Sequence, residues 1–271
     1  MNPGAVKQCC ATAYEGEFAR LLLGDSFHPG GLALTRRLAE LLELRPEMRV
    51  LDVASGKGES AIALAKEFQC HVVGLDLSSA NVLEARRGAE AAGVAGLTTF
   101  LRGDAESMDL PACSFDCVIC ECAFCTFPDK SAAAREFARV LTPTGRLGMT
   151  DLTRTGHLPE ELSGLLAWVA CVADAKPVAE YEAFLRDAQF TTKIVEQHDG
   201  ALAQMVQDVQ GRILSLKLMA GLGKLDLGKL DPGIADLDQA KQFADAAMRS
   251  IRKGQLGYAL IVSELVEGER P

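Results

Sequence analysis

Short apolar runs alternate with longer amphipathic segments between residues 49 and 150 of the chain. Short apolar runs bounded by turn residues are typical of buried strands, whereas apolar residues at positions i, i+3, i+4 and i+7 predict helices. Such alternation is typical of a doubly wound sheet, because parallel strands need crossover connections, which are usually helical. The pattern predicts strands at residues 49–53, 72–75, 97–101, 115–120 and 146–150 and helices at residues 57–68, 79–92 and 130–141.

The alternation ends after Asp151. The later pattern predicts helices at residues 159–172, 178–188, 201–219 and 236–253 and strands at residues 191–196 and 258–262. We expect the apolar helix 159–172 to form a cap over the cleft, and the last strand to close the sheet in the antiparallel direction. Residues 17–23 and 32–44 also have helical spacing. The predicted fold is α/β: a doubly wound, mostly parallel seven-stranded Rossmann-like sheet with N-terminal helices and a helical cap.

A glycine-rich turn follows the first predicted strand. The strand ends at Asp52 and Val53, and Gly56 and Gly58 lie in the turn before the next helix. Glycine has no Cβ, so the backbone of such a turn can approach a ligand closely. The second strand leads to Asp76, where a carboxylate can accept hydrogen bonds from both hydroxyls of a ribose. This combination predicts a cofactor that contains a nucleoside.

The sequence of the same turn favours one class of nucleoside cofactor over another. A dinucleotide fingerprint needs a third glycine three residues after Gly58, where this chain has Ala61. Asp52 would also repel a pyrophosphate, whereas it suits a cofactor that carries a sulfonium and an ammonium group. The segment from Asp52 to Gly58 resembles motif I of the class I S-adenosylmethionine-dependent methyltransferases, with Ala54 where that family usually has glycine.

The resemblance covers residues 47–155 and implies S-adenosylmethionine as the cofactor. It implies that Asp76 binds the ribose, that Leu77 lies beside the adenine, and that Asp104 accepts a hydrogen bond from the adenine amine. Glu121 follows the fourth strand, whose end would face the methyl donor. The cofactor-binding residues so implied are Asp52, Ala54, Ser55, Gly56, Gly58, Asp76, Leu77, Asp104, Ala105 and Glu121.

Three regions follow from these assignments. Residues 1–45 are expected to form an N-terminal helical lid. Residues 46–155 are expected to form the S-adenosylmethionine-binding core, and residues 156–271 the helical cap, or insertion, together with the closing strands.

Composition narrows the range of partners. The chain has 271 residues, of which 48% are hydrophobic, and a net charge of −9. Nucleic-acid binding needs a basic surface, so we expect no nucleic-acid partner. No apolar run approaches the length of a membrane span, and residues 1–6 lack the charged-then-apolar order of a signal segment. We therefore expect a cytoplasmic enzyme with a small-molecule or metalloid substrate and no membrane partner.

The cysteines are frequent and clustered. The chain has nine, of which a group lies between Cys113 and Cys125, and Cys9 and Cys10 are adjacent. In a reducing compartment we expect free thiols rather than disulfides. Residues 117–130, which end in Pro-Asp-Lys, resemble the arsenite methyltransferases. A Cys-Val-x-x-Ala pattern that begins at Cys171 is similar to a second segment of that family.

This resemblance implies three substrate thiols: Cys122, Cys171 and an upstream cysteine, for which we favour Cys10 over Cys9. Trivalent arsenic is soft and thiophilic, so thiolates from separate segments suit it as ligands. Its lone pair would attack the methyl carbon in line, and a thiol reductant such as glutathione or thioredoxin would be a partner. We expect Cys122 and Cys171 to approach each other across the cleft, with their thiols facing the sulfonium end of the cofactor pocket.

Other interpretations stay open. The chain can be a small-molecule C- or O-methyltransferase of the quinone or sterol type, with the cysteines lining its pocket. It can also be a non-catalytic metalloid sensor that uses Cys9, Cys10 and Cys122. Structural zinc is disfavoured, because Cys122 and Cys125 have C-x₂-C spacing but no second pair accompanies them. We therefore expect no metal site.

Overall fold

The computed structural model describes residues 28–222 and 236–266. The strands in this part of the chain are β1 (Arg49–Val53), β2 (His71–Asp76), β3 (Thr98–Arg102), β4 (Phe115–Glu121), β5 (Leu141–Arg154), β6 (Phe190–Gln197) and β7 (Leu256–Leu265). They form one seven-stranded sheet in the order β3-β2-β1-β4-β5-β7-β6. The first five strands are parallel, whereas β7 pairs antiparallel with both β5 and β6. The predicted mostly parallel, doubly wound architecture is confirmed.

Helices flank this sheet. They are α1 (Gly31–Leu41), α2 (Glu59–Phe68), α3 (Ser79–Ala91), α4 (Lys130–Val140), α5 (Gly164–Val169), α6 (Val178–Asp187), α7 (Asp199–Gly221) and α8 (Leu237–Arg252). Side-chain caps fix several of their starts: the Ser78 hydroxyl accepts from the backbone N–H of Asn81, and the Asp129 carboxylate accepts from that of Ala132. Such caps satisfy backbone donors that the first helical turn leaves unpaired.

The central strands are buried on both faces. Every residue of β1 after Arg49 is buried, and β7 is buried from Leu256 to Ser263. This explains why these strands read as continuous apolar runs rather than as an alternating pattern. Within the described residues, no helix has both the length and the apolarity needed to cross a bilayer.

The predicted cap helix at residues 159–172 is wrong. The structure has a 3₁₀ turn at Glu160–Leu162 and then the short α5. Gly164 (φ 76°) and Cys171 (φ 60°) are in the left-handed region, which interrupts a right-handed helix at both ends of α5. Residues 159–172 therefore form a short turn and a short helix rather than one continuous helix. The predicted helix at residues 17–23 lies outside the described residues.

Phe100, in β3, packs beneath the glycine turn between β1 and α2. A Cβ at Gly58 would lie 2.8 Å from the Phe100 ring and 2.9 Å from Ala85 Cβ, and a Cβ at Gly74 would lie 2.5 Å from the same ring. Gly58 also has a φ of +81°. Both the packing and the backbone therefore require glycine at position 58.

We expect Gly58→Ala to lower the free energy of unfolding by about 2–4 kcal/mol, because overpacking and left-handed strain add. Urea denaturation measures the change. Gly96→Ala is the control, since a Cβ there meets nothing within 4 Å, and it should change stability by less than about 0.5 kcal/mol. Equal effects of the two substitutions would contradict this account of the turn.

Candidate cofactor and substrate site

The turn after β1 carries the predicted cofactor-binding motif. Ala54 (φ 58°), Gly56 (φ 54°) and Gly58 (φ 81°) all adopt left-handed backbone, so the chain reverses direction within a few residues. At Ala54, where the resembled family usually has glycine, this conformation costs about 1–2 kcal/mol. Strain of this kind persists only where the surrounding structure enforces it, and it clusters at binding sites.

Asp76 ties this turn to the end of β2. Its Oδ2 accepts from the backbone N–H of Gly56 at 2.8 Å. Its Oδ1 accepts from the backbone N–H of Ser78 at 2.8 Å and from the Asn81 side chain at 3.3 Å. The same side chain lines the pocket, so it is accessible to a ligand. The sequence analysis missed that Asp76 also holds the glycine turn in place.

One pocket collects most of the predicted residues. All of the predicted cofactor-binding residues except Gly58 line it, as does Cys122. Gly58, at the end of the turn, packs against Phe100 and Ala85 and is not part of the pocket wall. The pocket is at the carboxyl ends of the parallel strands, which is where open α/β sheets bind ligands. The residues that sequence analysis missed in this wall include His28, Ser60, Asn81, Gly103, Thr126 and Phe127.

Asp52 makes the pocket suited to a cation. The residue is buried, and its Oδ2 has no hydrogen-bond partner among the described residues. Burial, followed by the nearby carboxylates of Glu121 and Asp76, raises the pKa of Asp52 well above its usual value. A positively charged group in the pocket would offset both the burial and this repulsion. The donor set therefore fits the sulfonium and ammonium groups of S-adenosylmethionine.

Glu121 lies at the end of β4 in a network of hydroxyl groups. The Ser60 hydroxyl donates to its Oε2 at 2.6 Å, and the Thr35 hydroxyl lies 3.1 and 3.2 Å from its two oxygens. His28 Nδ1 is 3.9 Å from Oε1. The Glu121 side chain is only 5% exposed. Segments far apart in sequence thus meet at this carboxylate, which local patterns could not reveal.

Three thiols converge beside the pocket. Cys122 is half-buried and lines the pocket, whereas Cys125 and Cys171 are buried. The Cys171 thiol donates to the Cys122 carbonyl oxygen at 3.4 Å. The thiol of Cys171 also interacts with the thiols of both Cys122 and Cys125. The expected approach of Cys122 and Cys171 is therefore present, but Cys171 is not part of the pocket wall.

The backbone at Cys122 and Cys171 is left-handed, with φ values of 53° and 60°. The Cys171 contact and burial raise the pKa of the Cys122 thiol, and burial and Cys171 raise that of Cys125. These thiols are therefore protonated at neutral pH.

Among the described residues, no group of three or more His, Cys, Asp or Glu side chains has the arrangement of a metal site. Cys10 lies outside the described residues.

The other cysteines in the described part of the chain have structural surroundings. Cys70, Cys117 and Cys120 are buried in the core, and Cys113 is exposed. Burial raises the pKa of Cys70 to about 11 and that of Cys117 to about 12. Buried neutral thiols of this kind act as small apolar groups. This agrees with their interpretation as packing and surface residues.

Asp151, in β5, lies under the thiols. Its Oδ2 accepts from the backbone N–H of Cys125 at 2.8 Å, and its Oδ1 accepts from that of Leu152 at 2.8 Å. Burial raises the pKa of Asp151 to about 7. The sequence analysis noted this residue only as the point after which strands and helices cease to alternate, because its burial follows from the tertiary packing.

Lys130 joins the two cysteine segments. Its buried ammonium donates to the carbonyl oxygens of Cys125 at 2.9 Å and Phe127 at 3.0 Å, and to Asp174 Oδ2 at 2.5 Å. Asp174 lies three residues after Cys171 and also pairs with Lys176 at 2.6 Å. The ion pair therefore fixes the Cys171 segment against the turn that carries Cys125.

Comparison with known proteins gives consistent matches. A family model described as "Methyltransferase domain" matches residues 44–201. The chain is 30% identical over 185 residues to phosphoethanolamine N-methyltransferase 1 of Arabidopsis thaliana, covering 68% of this chain and 37% of that protein. It is 33% identical over 195 residues to the 27-O-demethylrifamycin SV methyltransferase of Amycolatopsis mediterranei (strain S699), covering 65% of this chain and 72% of that protein.

A solved structure shares the fold. Phosphoethanolamine N-methyltransferase 2 of Haemonchus contortus, in complex with S-adenosyl-L-methionine, matches 92% of this chain and 56% of that chain. The TM-score is 0.75 and the sequence identity is 21%. At that identity the likeness shows the fold alone.

We expect Lys130→Met to lower the free energy of unfolding by about 3 kcal/mol, because it leaves two buried carbonyl groups without their donor and removes the more buried of the two ion pairs of Asp174. Chemical denaturation measures the loss. Lys176→Met, which removes the more exposed partner of Asp174, should cost less than about 1 kcal/mol. If the two variants lose equal stability, Lys130 does not join the segments.

Asp151 generates a pH dependence of stability. Its pKa of about 7 exceeds the ordinary value of 3.8, so the folded state binds an extra proton between these pH values. Its stabilising contribution is full below pH about 4 and is lost as the pH rises through about 7. Urea denaturation at pH 4.5 to 8 should therefore show wild-type stability falling relative to Asp151→Asn, by about 4 kcal/mol at most. A pH-independent difference between the two proteins would disprove this.

Proposed function

The chain belongs to the class I S-adenosylmethionine-dependent methyltransferases, and from that premise we propose that it methylates a small thiophilic substrate, most specifically trivalent arsenic. S-adenosylmethionine is the cofactor, and it supplies an electrophilic methyl carbon on a sulfonium, which the substrate's lone pair attacks. The chain spans 37% of the plant relative and 72% of the bacterial one. The substrates of these relatives therefore do not carry over to this chain, and its own residues indicate the substrate.

In the proposed complex, different residues of the pocket bind the ribose, the adenine and the cationic end of the cofactor. Asp76 accepts from the ribose hydroxyls, while Asp104 and Ala105, which follow β3, face the adenine. Asp52 and Glu121, at the ends of β1 and β4, face the cationic end. Ser55 Oγ is buried in this wall and has no hydrogen-bond partner among the described residues, so it is available to the cofactor.

The observation that supports a thiophilic substrate is the convergence of Cys122, Cys125 and Cys171. They come from the end of β4, the following 3₁₀ turn and the segment after α5, and one of them lines the cofactor pocket. Thiolates are the ligands that soft metals select. Two of these cysteines have left-handed backbone, but the exposed Cys113 has it too, so the proposal rests on the convergence of the three thiols.

In this proposal, the thiols bind arsenic without an external base. Arsenous acid exchanges a hydroxyl for each thiol: an As–S bond forms, an As–O bond breaks, and the thiol proton leaves with the hydroxide as water. Protonated thiols are therefore suitable reactants. The protein then holds arsenic in line with the methyl carbon, an orientation effect that can supply several kcal/mol. Transfer would form an As–C bond as the methyl–sulfur bond breaks, with S-adenosylhomocysteine as the leaving group and trivalent arsenic becoming pentavalent. Two thiols of a reductant such as glutathione or thioredoxin, oxidised to a disulfide, would return the arsenic to the trivalent state.

A second candidate is methylation of an organic small molecule. The curated relatives are named for phosphoethanolamine and for a demethylrifamycin, and the pocket wall includes the apolar residues Leu75, Ala123 and Phe127. In that case the cysteines would line the substrate region and make no bonds to the substrate. The two proposals differ in whether the Cys122 sulfur is essential.

The test is release of S-adenosylhomocysteine with arsenite plus glutathione, compared with a panel of phenols, quinols and phosphoethanolamine. We expect turnover with arsenite, and we expect Cys122→Ser to lower it at least about 100-fold, because a hydroxyl is a hard and weak ligand for trivalent arsenic. Cofactor affinity, measured by calorimetry, should change by less than about twofold.

Cys113→Ser is the matched control, because Cys113 is exposed and is not part of the pocket wall. It should retain wild-type turnover. Turnover with an organic acceptor but not with arsenite would overturn the arsenic proposal and favour the second candidate. Tight arsenite binding without release of S-adenosylhomocysteine would instead point to a sensor.

A further inference from the structure

We infer that His28 binds the amino-acid end of the cofactor, in a pocket wall built by His28, Ser60 and Glu121, with the buried Thr35 behind it. The inference rests on the cofactor, which the family establishes, and not on the identity of the methyl acceptor. His28 precedes α1 and lies in the same pocket as Asp52 and Asp76. Its side chain is 11% exposed.

The order of the strands places this wall at one end of the pocket. Asp104 and Ala105 follow β3, Asp76 ends β2, and the glycine turn follows β1. Glu121 ends β4, on the opposite side of β1 from β2 and β3. A cofactor whose ribose lies at Asp76 and whose adenine lies over β3 therefore extends its amino-acid end over β1 and β4. The wall that contains His28 and Glu121 lies at this end of the pocket.

The chemistry of the wall suits a zwitterion. The amino-acid end carries an ammonium and a carboxylate. Glu121, oriented by the hydroxyls of Thr35 and Ser60, offers oxygen acceptors to the ammonium. The carboxylate needs a donor, because Asp52, Asp76 and Glu121 all repel it.

His28 is placed to be that donor. Of the side-chain nitrogens in the described pocket wall, Lys57 Nζ pairs with Glu84 at 3.0 Å and Asn81 Nδ2 donates to Asp76. His28 Nδ1 is buried and has no hydrogen-bond partner among the described residues, since Glu121 Oε1, at 3.9 Å, is beyond hydrogen-bond distance. Its Nε2 lies 3.5 Å from the Thr35 hydroxyl. Donation from Nδ1 to the cofactor requires the ring to carry a proton on that nitrogen, as the Nδ1–H tautomer or as an imidazolium. A buried ring nitrogen without a partner is costly unless a ligand satisfies it.

Calorimetry with two probes tests the inference. S-adenosylhomocysteine has the amino-acid end, whereas 5′-methylthioadenosine lacks it and keeps the adenosine. We expect His28→Ala to weaken binding of S-adenosylhomocysteine at least about tenfold, the range of a charge-assisted hydrogen bond. Binding of 5′-methylthioadenosine should change by less than about twofold. His28→Gln, which restores an N–H donor, should recover part of the lost affinity.

His71→Ala is the control, because His71 lies at the start of β2, is about half exposed and is not part of the pocket wall. It should leave both affinities unchanged. An equal loss for both probes in His28→Ala and His28→Gln would mean that His28 only shapes the pocket. Unchanged affinity for both probes, with or without loss of methyl transfer, would also overturn the inference. None of these readouts depends on arsenic as the substrate.

Discussion

The carboxylate of Asp76 is the interaction on which the cofactor pocket depends. It accepts from the backbone of Gly56 on one side and of Ser78 on the other, so one side chain fixes the loops after β1 and β2 relative to each other. The backbone N–H of Ser55 also donates to the Leu75 carbonyl oxygen at 3.1 Å, so the left-handed turn is held to the end of β2 at two successive residues. Asp76 is the side chain that joins this turn to the loop after β2, and the pocket is shaped before any ligand enters it.

The substrate end depends on a different kind of constraint. Cys122 and Cys171 are 49 positions apart and are brought together by burial, left-handed backbone and the Lys130–Asp174 ion pair. A buried lysine needs several acceptors to offset its desolvation, and the carbonyls of Cys125 and Phe127 supply them. Desolvation of the two charges offsets most of the stability that the ion pair adds, although removal of Lys130 alone is costly because its partners stay buried. The main effect of the pair is to hold the two cysteine segments in one arrangement.

Much of the fold could be predicted from local patterns, because strands and helices are set by apolar spacing and glycine. The seven strands, the turn at Gly56 and Gly58, and Asp76 all follow from short stretches of sequence. The helix at residues 159–172 could not be predicted correctly, since its interruption depends on backbone angles at Gly164 and Cys171. Asp151, Lys130 and His28 were missed, because their importance comes from neighbours that only the tertiary structure brings near.

The position of β7 has a consequence for how the protein can be made. It is the latest of the described strands in the chain, yet it lies between β5 and β6 and pairs with both. During synthesis, the edge of β5 must therefore stay unpaired until residues 256–265 have left the ribosome, and an open edge invites pairing with other chains. Tyr258 of β7 also bonds Thr150 at 2.8 Å and lies close to the Cys122 thiol. The thiol site consequently reaches its final shape only after β7 has paired with β5.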